Sequence, residues 1–186
     1  MTGRGSRGTL FLVVGPSGAG KDTLIAQAAA RRPDLWVPQR VVTRAADAGG
    51  EPIMAVGDAA FDALEAAGGF MLAWRAHGLA YGIPVEAAAA LARGESVLVN
   101  VSRAVVAEAR QRFAPVRVLV IDAPVEVLAR RLAQRGRETA SDIAARLARA
   151  GSAPQPAGPD VRVIVNDGPI EAAVEAFLEA LQPESA

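Results

Sequence analysis

Gly15, Gly18 and Gly20 with Lys21, in the stretch LFLVVGPSGAGKDTL at residues 10 to 24, are the side chains whose types and spacing most directly imply chemistry. A glycine, four residues, then Gly20 and Lys21 follow an apolar run and open a helix-forming segment, the context that gives a Walker A match weight. Glycines there let successive backbone N–H groups curl around phosphate oxygens, and the helix N-terminus adds its dipole. Lys21 brings a full positive charge to the β and γ phosphates. The expected ATP site is therefore Gly15, Pro16, Ser17, Gly18, Ala19, Gly20, Lys21, Asp22 and Thr23, with Lys21 also catalytic.

Asp22 is the anomaly. A Ser or Thr normally follows the lysine and its hydroxyl reaches Mg²⁺, whereas here Asp22 stands in that place and Thr23 follows. A carboxylate beside phosphates is repelled unless Mg²⁺ lies between them or a water links it to the metal. Asp22 is thus the expected metal residue, the alternative being an acidic residue that suits the first turn of a helix. Phosphotransferases with such a loop usually carry a second carboxylate at the end of a core strand, but ESVLVNVSR ends in Asn100 and Ser102. Asp22 is expected to replace part of that charge. Asp122, ending VLVID, is the rival, or it begins a turn and caps the next helix.

The elements that must position these residues follow from periodicity. Short runs of Val, Ile and Leu alternate with helix-length, Ala-rich segments, the pattern of buried parallel strands with crossover helices. Strands are expected at 9 to 14, 37 to 42, 96 to 101, 116 to 121 and 161 to 165, and helices near 20 to 31, 84 to 93, 103 to 112, 124 to 135, 139 to 150 and 169 to 181. Pro84, Pro124 and Pro169 suit first helical turns. The expected fold class is α/β, a five-stranded parallel sheet flanked by helices. Residues 44 to 83 break the rhythm, hold most of the aromatics and suggest an inserted substrate subregion. RGRETASDIAARLARA, 135 to 150, is an Arg-studded amphipathic segment.

Composition narrows the function classes. The 186 residues, 51% of them apolar, suffice for one sizeable core. Lys plus Arg and Asp plus Glu number 20 each, so no overall field favours nucleic acid or an anionic membrane, and any anion site is local. The absence of cysteine excludes disulfides and thiolate chemistry and fits a cytoplasmic location. TGRGSRG, with Arg4 and Arg7, is expected to be a frayed terminus, and TLFLVV after it is too short for a signal-peptide core or a membrane span.

The stretches GPSGAGKDT, VVTRAADAGGE, GGFMLAWRAHGLAYGIP, VLVNVSRA and LARRLAQRGRETASDIAARLARA, in this order, cover most of the chain. With them the chain resembles the guanylate kinase-like branch of the P-loop nucleoside monophosphate kinases, and within it the ribose 1,5-bisphosphate phosphokinases. The resemblance implies a single kinase domain over 1 to 186: a core of 8 to 43, 84 to 134 and 151 to 186, a substrate-binding subregion at 44 to 83, and a helical lid at 135 to 150 that closes over ATP. Arg135 and Arg146 match the lid arginines that meet ATP phosphates and are expected to be catalytic. Arg131, Arg137 and Arg149 are also available; for Arg130, Arg131 and Arg149 the alternative is a solvated helix-face charge, the commoner fate of a charge run.

Departures from guanylate kinase are specific. Of the two arginines that hold the GMP phosphate there, Arg44 matches the first and Asp47 replaces the second. The guanine-reading Glu falls at Leu72, and the Ser or Thr after YG is Ile83. Leu72 cannot accept hydrogen bonds from guanine, which argues strongly against GMP. WRAHGLAYGIP is similar instead to the bisphosphokinase pattern, so Arg44, His77, Tyr81, Asn100 and Arg103 are the expected acceptor-binding residues, with Trp74 beside them. For His77 the alternative is a core or turn residue, and for Trp74 and Tyr81 it is packing. Asn166 and Asp167, in VNDG, either border the adenine or form a turn.

The resemblance thus implies ATP- and Mg²⁺-dependent phosphorylation of a small sugar phosphate, ribose 1,5-bisphosphate, with no nucleic acid or membrane partner and the oligomeric state open. A guanylate or other nucleoside monophosphate kinase is the first alternative, and a guanylate kinase-like binding module without catalysis is the second. Intact Gly15, Gly20 and Lys21 oppose the latter.

Overall fold

Five apolar segments of this chain pair into a parallel sheet whose central strands are covered on both faces, while the edge strand at 161–165 leaves Val163 and Val165 exposed. In the computed structural model, which describes residues 8–44, 52–134 and 154–182, they are β1 (Leu10–Val14), β2 (Leu35–Trp36), β7 (Ser96–Asn100), β8 (Val116–Asp122) and β9 (Val161–Val165), in the spatial order β2-β7-β1-β8-β9. All of β1 is buried, as its uninterrupted LFLVV sequence requires of a central parallel strand. Leu10, Leu12 and Val14 belong to one apolar cluster, and Phe11 and Val13 to the other. That alternation is the two-residue period of a strand expressed as two cores. Among the described residues no helix is long and apolar enough to cross a membrane.

Helices α1 (Lys21–Arg31) and α5 (Val125–Gln134) follow β1 and β8 directly. The last helix, α6 (Ile170–Ala180), packs against α1, with Val174 and Phe177 in the same cluster as Leu24 and Ala28. On the other face lie α3 (Glu86–Ala92) and α4 (Val106–Arg112), the latter led in by a 3₁₀ turn at Arg103–Val105. The sequence-predicted helix at 139–150, the lid boundaries and Asp47 lie outside the described residues.

One predicted core strand belongs elsewhere. The segment expected at 37 to 42 resolves into Arg40–Val42 (β3), which joins a second, four-stranded sheet, while the two-residue β2 takes the edge position of the core. The second sheet runs β4-β3-β6-β5, with β4 at Ile53–Ala55, β5 at Phe70–Ala76 and β6 at Leu79–Pro84. Its helix is α2 (Asp58–Ala66). These four elements occupy most of the stretch that sequence reading treated as one substrate subregion.

This sheet also has two faces. Leu72 pairs with Ile83 and Trp74 with Tyr81 across the β5–β6 hairpin. These four side chains pack into the cluster that includes Val99, Val101 and Val105 of the core. Val41 and Ala80 turn the other way, onto Phe61 of α2. A register irregularity between Phe70 and Leu72 moves Phe70 to that second face, where it stacks on Phe61 with ring centroids 4.7 Å apart. Phe61 is fully buried, so Phe61→Ala is expected to cost about 3–5 kcal/mol of folding stability. Urea denaturation followed by circular dichroism checks this, and an unchanged midpoint would contradict the packing described.

Candidate active site

The phosphate loop lies where β1 gives way to α1. Gly15 has φ 151°, and a Cβ there would stand 2.1 Å from the carbonyl oxygen of Ile121 on β8, so the loop's first residue must be glycine. Gly20 is left-handed, with φ 94°, and a Cβ on it would meet Asn166 Nδ2 at 2.5 Å. The two glycines allow the chain to turn tightly between β8 and the C-terminal end of β9. Lys21 arches back over the loop, its Nζ donating to the carbonyl oxygens of Gly15 at 2.8 Å and Pro16 at 2.9 Å. Its charge thereby sits at the loop's mouth, where anionic phosphates are received.

Asp22 lies on the first turn of α1. Its neighbour across the sheet edge is Asn100, the last residue of β7, whose Nδ2 donates to Asp22 Oδ1 at 2.8 Å. The strand-end position and the loop position that sequence reading considered together are thus in direct contact. Only the amide nitrogen of Asn100 can donate to a carboxylate, which fixes its flip. An acid at residue 100 would set two negative charges at this distance, whereas Asn100 orients one. Asp122 Oδ1 accepts from the N–H of Ala123 at 2.9 Å, the turn alternative for that residue. Ser102 Oγ accepts from Ala104 N–H at 3.3 Å and caps the 3₁₀ turn that begins at Arg103.

The donor set suits Mg²⁺ in the manner typical of phosphotransfer sites, one carboxylate with the remaining positions left to phosphate and water. The second oxygen of Asp22 lies outside the Asn100 bond, and Thr23 follows on the same turn. Among the described residues no group of three or more His, Cys, Asp or Glu side chains gathers to hold a metal by itself.

Trp74 and Tyr81, two of the residues expected near the acceptor, stack with centroids 5.3 Å apart and planes inclined by 5°. Arg44, at the end of the described segment after β3, is partly buried, and its Nε makes no hydrogen bond among the described residues. His77 occupies the exposed two-residue turn of the β5–β6 hairpin with φ 54°, followed by Gly78 with φ 74°. That is the turn alternative, since a tight hairpin of this twist takes positive φ at both central residues. Arg135 and Arg146 lie outside the described residues, as do Arg137 and Arg149.

Three residues take places that the sequence reading did not give them. Asn166 is fully buried just beyond β9, and its Nδ2 donates to the carbonyl oxygen of Ala19 at 2.8 Å. It braces the phosphate loop from beneath. Arg131 is no solvated helix-face charge: it is partly buried and its Nη2 donates to Asn166 Oδ1 at 3.4 Å. Arg40 donates from Nη1 to the Asn100 carbonyl oxygen at 3.3 Å and lies over the Tyr81 ring. Its sequence separation from these neighbours hides the association; a basic residue opening an apolar run was the one available sign. Asn166→Ala removes a buried hydrogen bond worth roughly 1–3 kcal/mol, so the KM for ATP is expected to rise about tenfold, read by steady-state kinetics at saturating acceptor.

A family model described as an AAA domain matches residues 10–152. The chain is 49% identical over 176 residues to the ribose 1,5-bisphosphate phosphokinase PhnN of Chromobacterium violaceum, spanning 94% of each chain. It is 44% identical over 181 residues to the protein of the same name from Ruegeria sp. strain TM1040, spanning 97% of this chain and 95% of that one. Among solved structures, guanylate kinase from Anaplasma phagocytophilum superposes with a TM-score of 0.66 at 21% identity, over 95% of this chain and 88% of that one, a likeness of fold.

Proposed function

The chain belongs to the ribose 1,5-bisphosphate phosphokinase family, and on that premise we propose how its residues divide the transfer of a phosphoryl group from ATP to the 1-phosphate of ribose 1,5-bisphosphate. The products are 5-phosphoribosyl diphosphate and ADP. An oxygen of the 1-phosphate attacks the γ phosphorus in line, the bond from that phosphorus to the β–γ bridging oxygen breaks, and ADP leaves with that oxygen's electron pair. No protein nucleophile takes part.

Positioning and charge stabilisation are what such a transfer asks of the protein. The backbone N–H groups of the loop and Lys21 hold the β and γ phosphates. Asn166, through Ala19, keeps the loop in shape. Asp22, oriented by Asn100, is the carboxylate that would hold Mg²⁺, directly or through water, and the metal would supply neutralisation of the charge that develops on the phosphates. On the acceptor side Arg44 binds phosphate beside the Trp74–Tyr81 wall, and Arg103 and His77 are the further acceptor candidates. Arg135 and Arg146 complete the closed state from the lid. ATP and a phosphorylated sugar as reactants accord with a cytoplasmic reaction.

The observation that carries the acceptor assignment is the buried pair of Leu72 and Ile83, 1% and 0% exposed, at the positions where guanylate kinase reads its base. Both side chains are packed into the core, so a guanine there would meet hydrocarbon in place of an acceptor for N1 and N2. ADP formation with Mg-ATP, compared across ribose 1,5-bisphosphate, ribose 5-phosphate and GMP at equal concentration, tests the reading. Turnover confined to the bisphosphate supports it; turnover with GMP alone refutes it.

A further inference from the structure

Arg40 is the first residue of β3, and strand alternation puts it on the same face as Val42; Arg44 follows two residues after the strand ends. Val42 pairs with Tyr81, and Tyr81 pairs with Trp74, so Arg40 is the diagonal neighbour of an aromatic pair on the two adjoining strands. Its guanidinium carbon lies 5.3 Å from the Tyr81 ring centroid and 6.0 Å from that of Trp74. One end of the same guanidinium reaches the Asn100 carbonyl oxygen at 3.3 Å. The amide of Asn100 holds Asp22. Arg40 therefore stands between the Asp22–Asn100 pair and the Trp74–Tyr81 stack.

The electrostatics of this place are those of an anion site. Burial lowers the proton affinity of Arg40, Asp22 and Tyr81 raise it, and the charge of Arg44 lowers it again. An arginine remains protonated under such pressure. Two cations near enough to feel each other's charge, with the buried Nε of Arg44 making no hydrogen bond among the described residues, are suited to receive an anion carrying more than one charged group. The sequence also leaves room for a second cation: Asp47 stands where guanylate kinase has the second arginine of its phosphate clamp, so Arg44 lacks that partner.

Resting on the phosphokinase reading, we infer that Arg40 is a specificity-determining residue that binds a phosphate of the acceptor, its plane fixed by the Tyr81–Trp74 stack, so that Arg40 and Arg44 together select a bisphosphate over a monophosphate. The aromatic pair has a defined part in this: it supports a planar cation and keeps its donors edge-on to the sugar phosphate. Lysine would keep the charge there and lose the fork.

The test uses the full chain with Arg40→Met, which keeps an apolar stem against the rings, and Arg40→Lys. The KM for ribose 1,5-bisphosphate is expected to rise at least thirtyfold in Arg40→Met and about tenfold in Arg40→Lys, with the KM for ATP changing less than twofold. Competitive inhibition by ribose 5-phosphate is expected to weaken by a smaller factor than the bisphosphate KM rises. An unchanged bisphosphate KM in either variant overturns the inference, as does a parallel rise in both KM values, which would mark a structural role. If Arg40→Met does not fold, by circular dichroism, Arg40→Lys decides the question. Failure of the wild-type protein to turn over the bisphosphate at all would instead sink the phosphokinase reading on which the inference rests.

Discussion

Lys21→Met lowers kcat by about 10²–10³ while the protein stays folded and the KM for the sugar bisphosphate stays near its original value. The reason is local. Lys21 Nζ is held at the loop's mouth by the carbonyls of Gly15 and Pro16, on the rim that faces the phosphates. Charge on the γ-phosphoryl group spreads over its peripheral oxygens during transfer, and a fixed cation there stabilises the transition state more than the ground state. Methionine matches the length of the lysine stem and removes the charge together with the two hydrogen bonds to the loop carbonyls. Single-turnover measurement with Mg-ATP separates the chemical step from binding. A variant retaining more than a tenth of the wild-type rate would mean that the cationic work is done by the lid arginines and that the loop is mainly a cradle.

Asp22→Asn is expected to lower kcat by about 10² and to raise the Mg²⁺ concentration needed for half-maximal activity about tenfold, an effect of several kcal/mol at the transition state being usual for a metal-bound phosphoryl group. The pairing with Asn100 makes a sharper test available. In Asp22→Asn/Asn100→Asp the carboxylate moves from the helix to the strand end without altering the net charge of the pair, whose side chains are 2.8 Å apart. If the site needs one carboxylate at this junction, the double variant recovers at least tenfold over Asp22→Asn. Full activity and unchanged Mg²⁺ dependence in Asp22→Asn would show that Asp22 merely suits the first turn of α1. The coupling between the two positions, read from the complete cycle, distinguishes a shared metal role from two independent effects.

Legibility in the sequence depended on whether a feature was local. The phosphate loop is contiguous, and its glycines have a specific backbone reason, so residues 15 to 23 could be read directly. Core strands such as Leu10–Val14 and Val116–Asp122 were legible because strands buried on both faces become unbroken apolar runs. The same logic misplaced Arg40–Val42, since an apolar triplet looks alike in either sheet and Leu35–Trp36, at two residues, has no period to detect. The second sheet was seen only as a break in rhythm. Its helix α2 is short and Ala-rich, and its hairpin turn uses His77 at positive φ, a residue whose ring chemistry suggested a binding role before its backbone did.

The site itself was partly hidden for a related reason. Asp22 and Asn100 each looked odd alone, and their juxtaposition across 78 residues explains both oddities at once. Arg131 and Asn166 were ordinary members of a charge run and a turn until the fold brought them under the phosphate loop. Arg40 carried no local motif at all. Its meaning comes from Tyr81 and Asn100, which lie on two other strands and belong to two different sheets.

The most direct test of the central claim follows the phosphorus itself. Protein is incubated with Mg²⁺, ATP labelled in its γ phosphate and ribose 1,5-bisphosphate, and the products are separated and examined by phosphorus NMR. The account predicts that the label appears in the terminal position of a diphosphate at C1 of the sugar, in one-to-one proportion with ADP. Label released as inorganic phosphate, or transferred only when GMP is supplied, would contradict it.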